Sequence, residues 1–183
     1  MDPSLRNWGW ALGHYNLGTG AITIDKVGLI QPTLPTKKTI RVNHLDMISA
    51  ASLAKGAHLV MRESQATFVE VPHGSQNARS MASYGICVGV LGTLRYGGQE
   101  FYELSELECK MASVGKKTAT KAELIAWATK KHPEVTWPTY TRSGTVSISE
   151  AQAEHMADAV IAIHAGVSSI PFQQLLPMLA KAQ

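Results

Sequence analysis

The sequence predicts an α/β domain with a mixed β-sheet, and three observations support this prediction. Two apolar runs, at 8–13 and 19–30, are separated by a turn-forming Asn and Gly segment and indicate an antiparallel strand pair. After these strands, segments with helical periodicity alternate with short runs rich in β-branched and aromatic residues. Strands followed by strand–helix alternation are typical of an α/β domain.

The remaining elements follow from periodicity and from residues that start or stop helices. Strands are predicted over 66–71 and 101–104, and helices over 42–62, 75–94, 106–113, 120–131, 150–165 and 171–181. Ser75 and Ser149 are the expected N-caps, and Gly166 is expected to end the helix that begins at 150. The segment 138–144 is rich in turn formers, which predicts a loop.

Composition limits the possible classes of protein. The chain has 183 residues and a net charge of +3, with 45% hydrophobic and 17% charged residues, which excludes intrinsic disorder and predicts one domain over 1–183. No apolar run approaches the ~20 residues that span a bilayer, and the start of the chain lacks the pattern of a signal peptide. Cys87 and Cys109 are isolated, which indicates buried free thiols. We therefore expect a cytoplasmic protein without a membrane partner.

Four acidic or imidazole side chains are placed where α/β proteins bind ligands. Glu70 ends the most apolar strand, and Asp158 follows His155 by three residues, on the same face of one helix. Asp2 comes just before the first strand. Buried carboxylates repel one another and cost free energy unless they are paired or bind a metal. A convergent set of this kind is suited to two divalent cations such as Mg²⁺.

Taken singly, each of these residues also has an ordinary structural explanation. Glu70 could pair with an arginine, Asp158 could face solvent, His155 could be a structural histidine, and Asp2 could lie in a frayed terminus. Spacing alone leaves these alternatives open.

Two motifs in the first half of the chain resemble those of a known nuclease family. Asp2-Pro3-Ser4 followed by Gly9 looks like the family's opening Asp-Pro-Gly/Ser strand motif. Glu70 at a strand end, followed by Ala78 and Gly85 in the next helix, is similar to the family's second acidic motif.

A third motif completes the resemblance. The segment 154–159, with His155 and Asp158 three apart, resembles the family's closing helix. The order and spacing of the three motifs, over nearly the whole chain, are similar to those of RuvC-type Holliday junction resolvases, phage-type members included. These belong to the RNase H-like nuclease superfamily. The resemblance implies an RNase H-like fold, with a mixed five-stranded sheet flanked by helices.

The resemblance also implies roles for individual residues. Asp2, Glu70, His155 and Asp158 would form the catalytic set that binds Mg²⁺, with Mn²⁺ as a substitute. Lys110 and Lys121 align with two basic catalytic positions near the cleaved phosphate. His73 takes the place of an aromatic residue that stacks on a junction base.

A basic segment indicates a surface for DNA. Residues 110–131 contain six lysines against one glutamate, a net charge of +5. Such a segment is either a solvated helix face or a track for phosphates, and the adjacent acidic set favours the track. The predicted DNA-binding residues are His73, Lys110, Lys116, Lys117, Lys121 and Arg142.

The resulting prediction is a Mg²⁺-dependent endonuclease that resolves four-way DNA junctions by paired symmetric nicks, as a homodimer associated with the nucleoid. Two alternatives are another RNase H-like nuclease, acting on flaps, branched DNA or RNA–DNA hybrids, and a catalytically impaired junction-binding protein. The family carries several residues before its first acidic residue, but here only Met1 precedes Asp2. Either the native chain starts upstream or the site is compromised. Without those preceding residues, we expect Asp2 to be poorly held, beside a terminal ammonium group.

Overall fold

The computed structural model describes residues 1–37 and 39–181. The described strands are β1 (Trp8–Tyr15), β2 (Ile22–Ile30), β3 (Phe68–Glu70), β4 (Tyr102–Leu104), β5 (Thr139–Arg142) and β6 (Thr145–Ile148). The described helices are α1 (Val42–Met61), α2 (Ala78–Tyr96), α3 (Glu106–Ala112), α4 (Lys121–Lys131), α5 (Glu150–Ser168) and α6 (Ile170–Lys181). The α/β class is therefore confirmed.

The strands form two-stranded sheets, two of which are joined through the first two residues. β1 pairs antiparallel with β2, and β3 pairs parallel with β4. Asp2 and Gly9 exchange two backbone hydrogen bonds of 2.9 Å, while the Met1 nitrogen donates to the Phe68 carbonyl at 2.7 Å. The Glu70 amide donates to the Met1 carbonyl at 3.0 Å. The arrangement is mixed, but the described sheets are short, and a five-stranded sheet stays a prediction.

Helix α5 is the central element of the core and buries several small residues. Ala153, Ala157, Ala162 and Val160 are fully buried, because alanines let this helix approach β1 and β3 closely. The helix does not end at Gly166 but continues to Ser168. A Cβ atom at Gly166 would lie 1.9 Å from the Phe68 ring, so this glycine serves close packing rather than termination.

Three further expectations are corrected by the structure. The segment 138–144, predicted as a loop, contains strand β5 and the turn of the antiparallel hairpin β5–β6, and the turn residues Ser143 and Gly144 have φ angles of +50° and +79°. Asn77 caps α2 in place of Ser75, because its side chain accepts a hydrogen bond from the Ser80 amide. Ser149 precedes α5 but makes no side-chain capping bond.

A second apolar cluster lies between α1, α2 and β1. Leu53 and Ala57 of α1 pack with Leu91 of α2 and with Trp8. Cys87 also belongs to this cluster, and both cysteines are buried and free, as predicted.

Within the described residues, no single helix is long and apolar enough to cross a membrane. Helices α5 and α6 meet the length and composition criteria only as a pair, and that pair is bent by 68°.

Candidate active site

Asp2 is held against helix α5 by both its backbone and its side chain. Its backbone pairs with Gly9, and a Cβ atom at Gly9 would lie 1.9 Å from the His155 carbonyl oxygen, so β1 touches the helix at this point. The Asp2 Oδ2 atom lies 2.5 Å from the Nδ1 atom of His155. The two side chains are 15% and 20% exposed. The expectation that Asp2 is poorly held is therefore wrong.

The Met1 nitrogen also differs from the expectation of a terminal ammonium group beside the site. Burial lowers the pKa of this amino group to about 6, although Asp2 and Glu70 act to raise it. The Met1 nitrogen donates a hydrogen bond to the Phe68 carbonyl, and this bond helps to hold β3 beside Asp2.

Glu70 and Asp158 are partly buried carboxylates close to Asp2. Burial raises the pKa of Glu70 to about 7, and repulsion by Asp2 adds to this effect. Burial likewise raises the pKa of Asp158 well above its usual range, with repulsion by Asp2 and Glu70 as further causes. The three carboxylates thus come from three different parts of the chain and repel one another inside the protein.

The pKa of His155 reflects two opposing effects. Burial acts to lower it, but the hydrogen bond with Asp2 and the charge of Asp2 outweigh burial, so the pKa is raised. Asp2 therefore favours the protonated form of His155, which carries a positive charge opposite in sign to the carboxylates around it.

The sequence interpretation missed three residues that border the cluster. The thiol of Cys109 faces Glu70, and burial raises the pKa of this thiol strongly, so it stays neutral. Glu154 forms an ion pair with Lys121, and Tyr84 lies close enough to Lys121 to affect its pKa. Only Glu154 could have been found from sequence, because it directly precedes His155.

Three of the lysines predicted to bind DNA are ion-paired. Lys110 lies 2.5 Å from Glu106 and Lys116 lies 3.1 Å from Glu123. Lys121 contacts Glu154, and this contact raises the pKa of Lys121 while Asp158 adds to the effect. Lys121 is therefore the predicted lysine that the structure connects most directly to the acidic cluster.

The other predicted DNA-binding residues lie on the surface. Lys117 is exposed in the turn before α4, and Arg142 is exposed at the end of β5. His73 is exposed in the loop after β3. The pKa of Glu106 is lowered chiefly by its hydrogen bond with Lys110 and also by the charge of His73, which places His73 near the start of α3.

Comparisons with known proteins can be set beside this geometry. No protein-family model matches the chain, and no curated protein matches its sequence. Solved structures also match the chain, and two of them match over 90% of its length. One is Thermus thermophilus RuvC in complex with a Holliday junction substrate, with a TM-score of 0.60, 15% identity and 88% of that chain covered. The other is T. thermophilus RuvC, with a TM-score of 0.59, 16% identity and 89% of that chain covered.

The chain has a RuvC-like fold. The structural match agrees with the family resemblance of the three acidic sequence motifs. At this identity it establishes the architecture alone, so the roles of individual residues depend on their own chemistry.

The donor set in this RuvC-like fold suits a hard divalent cation by its chemistry. Three carboxylates supply the oxygen ligands that Mg²⁺ and Mn²⁺ prefer, and burial together with repulsion by neighbouring carboxylates raises the pKa values of Glu70 and Asp158. Among residues 1–37 and 39–181, however, no three His, Cys, Asp or Glu side chains are placed to ligate one ion together. Metal binding would therefore require these side chains to rearrange.

Proposed function

We propose that this chain is a metal-dependent endonuclease that resolves four-way DNA junctions by paired symmetric nicks. The observation that carries the proposal is the convergence of Asp2, Glu70 and Asp158, together with His155, in a RuvC-like fold. One solved structure with this fold is bound to a Holliday junction substrate, which supports branched DNA as the ligand.

Asp2, Glu70, His155 and Asp158 would hold Mg²⁺, or Mn²⁺ in its place. Bound divalent cations supply an activated water and neutralise the leaving oxygen in phosphodiester hydrolysis. Glu70, with a pKa of about 7, is partly protonated at neutral pH and must lose its proton to act as a ligand. Cleavage should therefore increase as the pH rises through 7.

The predicted DNA-binding surface is made of lysines that carboxylates neutralise in the free protein. Lys110, Lys116 and Lys121 would exchange Glu106, Glu123 and Glu154 for phosphate groups when DNA binds. These pairs are solvent-exposed in part and therefore weak, so the exchange costs little. His73, Lys117 and Arg142 would add contacts from the exposed loops and hairpin. Binding should weaken steeply with salt.

Two matched nicks on a symmetric junction require two active sites related by a twofold axis. Helix α2 offers a surface for such a homodimer, because Cβ atoms built at Gly85, Gly89 and Gly92 meet nothing within 4 Å. The same helix exposes Met81 and Val88, which are 47% and 44% exposed. A second copy of α2 could approach this face closely and cover these apolar side chains.

The direct test is cleavage of a mobile four-way junction by the purified protein with Mg²⁺ or Mn²⁺. Paired nicks at symmetric positions are expected, and flap and RNA–DNA hybrid substrates should be cut much more slowly. Preferred cutting of a flap or a hybrid would assign a different RNase H-like nuclease activity. A folded, dimeric protein that leaves all three substrates intact would overturn the proposal.

One observation favours a second candidate, a junction-binding protein with impaired catalysis. In the described part of the chain the acidic side chains are not placed to share an ion, and Asp2 is engaged by His155. This candidate predicts salt-dependent junction binding without cleavage, even in Mn²⁺. Cleavage by the parent protein that is lost in Asp158→Asn would exclude it.

A further inference from the structure

A polar pocket lies beside the acidic cluster, between the segment after Asp2 and the first turns of α2. It has a volume of about 230 Å³, below the range typical for drug-sized ligands and suited to a small polar group. Its polar lining comes from Ser4, Arg6, Arg79, Ser80, Ser83 and Tyr84. The lining thus combines two guanidinium groups with hydroxyl groups and contains no carboxylate.

The charge of this pocket is set by one carboxylate behind it. Asp46 of α1 is 7% exposed and accepts two hydrogen bonds from Arg79, at 2.7 and 2.6 Å. It also accepts one from Arg6 at 3.2 Å, and Arg6 donates another bond to Ser49. Two guanidinium groups against one carboxylate leave a net charge of +1.

Asp46 also orients both arginines. The guanidinium groups are pinned on one side, while their side chains remain 39% and 48% exposed on the other. A guanidinium group that is fixed in place loses little conformational entropy when it binds an anion. Planar guanidinium donors match the oxygens of a phosphate group.

The position of the pocket relates it to the acidic cluster. Ser4 lies two residues after Asp2, and Tyr84 contributes to the raised pKa of Lys121, which contacts Glu154 next to His155. Ser4 and Tyr84 thus connect the lining of the pocket to the acidic cluster.

We propose that this pocket, formed by Arg6, Arg79 and the surrounding hydroxyl groups, binds a backbone phosphate of the DNA strand next to the phosphate at the acidic cluster. This inference rests on the proposed function, since it assigns a second contact on the same strand. The pocket would fix the strand's register so that one particular phosphodiester reaches Asp2, Glu70 and Asp158.

The first experiment measures junction affinity against salt concentration for the parent, Arg79→Ala and Ser83→Asp. Both variants should weaken binding about tenfold, and Arg79→Ala should lower the slope of log K against log salt by about 0.9, the value for one phosphate contact. Ser83→Asp places a negative charge in the pocket without touching Asp46, so it remains informative if Arg79→Ala folds poorly. Arg62→Ala is the matched control, because it makes the same change in net charge at an exposed residue just after α1.

The second experiment uses inorganic phosphate alone as the probe and follows the amide resonances of Ser80 and Ser83 by NMR. Phosphate should shift both resonances in the parent and neither in Arg79→Ala. If the parent binds and cuts junctions while Arg79→Ala and Ser83→Asp behave like Arg62→Ala, the pocket assignment is overturned and the nuclease proposal stands. If phosphate shifts these resonances but the parent binds no junction, the pocket takes free phosphate, and both the DNA assignment and the proposed function fail.

Discussion

The Nδ1 atom of His155 lies 2.5 Å from the Oδ2 atom of Asp2, although the two residues are 153 positions apart in the chain. This bond joins the start of the chain to the central helix α5, and Gly9 packs against the same turn of that helix. Two of the predicted site residues are thereby in direct contact, and Glu70 lies close enough to Asp158 to raise the pKa of that carboxyl group.

Asp158→Asn should abolish cleavage and stabilise the metal-free protein. Loss of a metal ligand should reduce cleavage at least about a hundredfold, while junction binding is retained. The same change removes a buried carboxylate that Asp2 and Glu70 repel, so the Tm in EDTA should rise. Cleavage assays and thermal melts check both outcomes. The matched control is Asp25→Asn, at a half-exposed carboxylate on β2. If Asp158→Asn cut junctions as fast as the parent, the site assignment would be wrong.

Most of the helices and the first four strands follow from local patterns, whereas the β5–β6 hairpin does not. Its turn needs positive φ angles at both Ser143 and Gly144, and Ser is an unusual residue for the first of these positions. Polar residues around a Ser-Gly pair are equally typical of a loop. The hairpin therefore has no distinctive sequence signal.

Local sequence patterns also predict only part of the candidate site. Sequence motifs identify the acidic residues, because each lies at a recognisable place in a strand or helix. The partners of the lysines depend on the tertiary fold: Lys121 and Glu154 are 33 positions apart and meet only because α4 packs on α5. Cys109 and Tyr84 likewise reach the site through packing, which no local pattern encodes.

The contribution of Glu70 to the stability of the metal-free protein should fall as the pH rises from about 4.5 to about 7. The folded state keeps the proton of Glu70 up to about pH 7, whereas the unfolded chain releases it near 4.5. Between these values the folded state binds more protons, so its stability falls with pH, by about 2–3 kcal/mol.

Glu70→Gln isolates this contribution. The difference in unfolding free energy between parent and variant, measured in EDTA by urea titration, should change across this pH window and be flat below it. His164 makes stability rise with pH, because burial lowers the pKa of His164 to about 4. This contribution is the same in both proteins and cancels in the difference. A pH-independent difference would show that Glu70 ionises normally.

Mg²⁺ should raise the Tm of the parent more at pH 8 than at pH 6. A cation that binds only the folded state stabilises it by mass action, and at pH 6 it must compete with the proton on Glu70. EDTA should reverse the shift. Asp158→Asn should show little of it, while Asp25→Asn should respond like the parent; equal shifts in both variants would indicate nonspecific binding.

Asp46→Asn should destabilise the protein at neutral pH. Asp46 is buried and accepts hydrogen bonds from Arg79 and Arg6, which link α1, α2 and the segment after Asp2. Loss of its charge should cost about 1–3 kcal/mol, measured by urea unfolding. The hydrogen bond with Arg79 lowers the pKa of Asp46 below its usual 3.8. The difference from the parent should therefore be present above pH 4 and disappear only as the pH falls below that value.

Gly9→Ala should be more damaging than its size suggests, because the added methyl group has nowhere to go. An ideal Cβ at Gly9 lies 1.9 Å from the His155 carbonyl oxygen, and that oxygen belongs to the backbone of α5 and cannot rotate away. Either β1 or α5 must move, at a cost of about 1–3 kcal/mol or more. Either movement also separates Asp2 from His155, so cleavage should fall further than the loss of folded protein explains.

Gly18→Ala, in the exposed β1–β2 turn, is the matched control. A Cβ atom at Gly18 has its nearest neighbouring atom at 3.4 Å, so this variant should keep stability and cleavage near the parent values. Comparable melts for the two variants would mean that β1 does not press on α5 at this point, and the positioning of Asp2 would need another explanation.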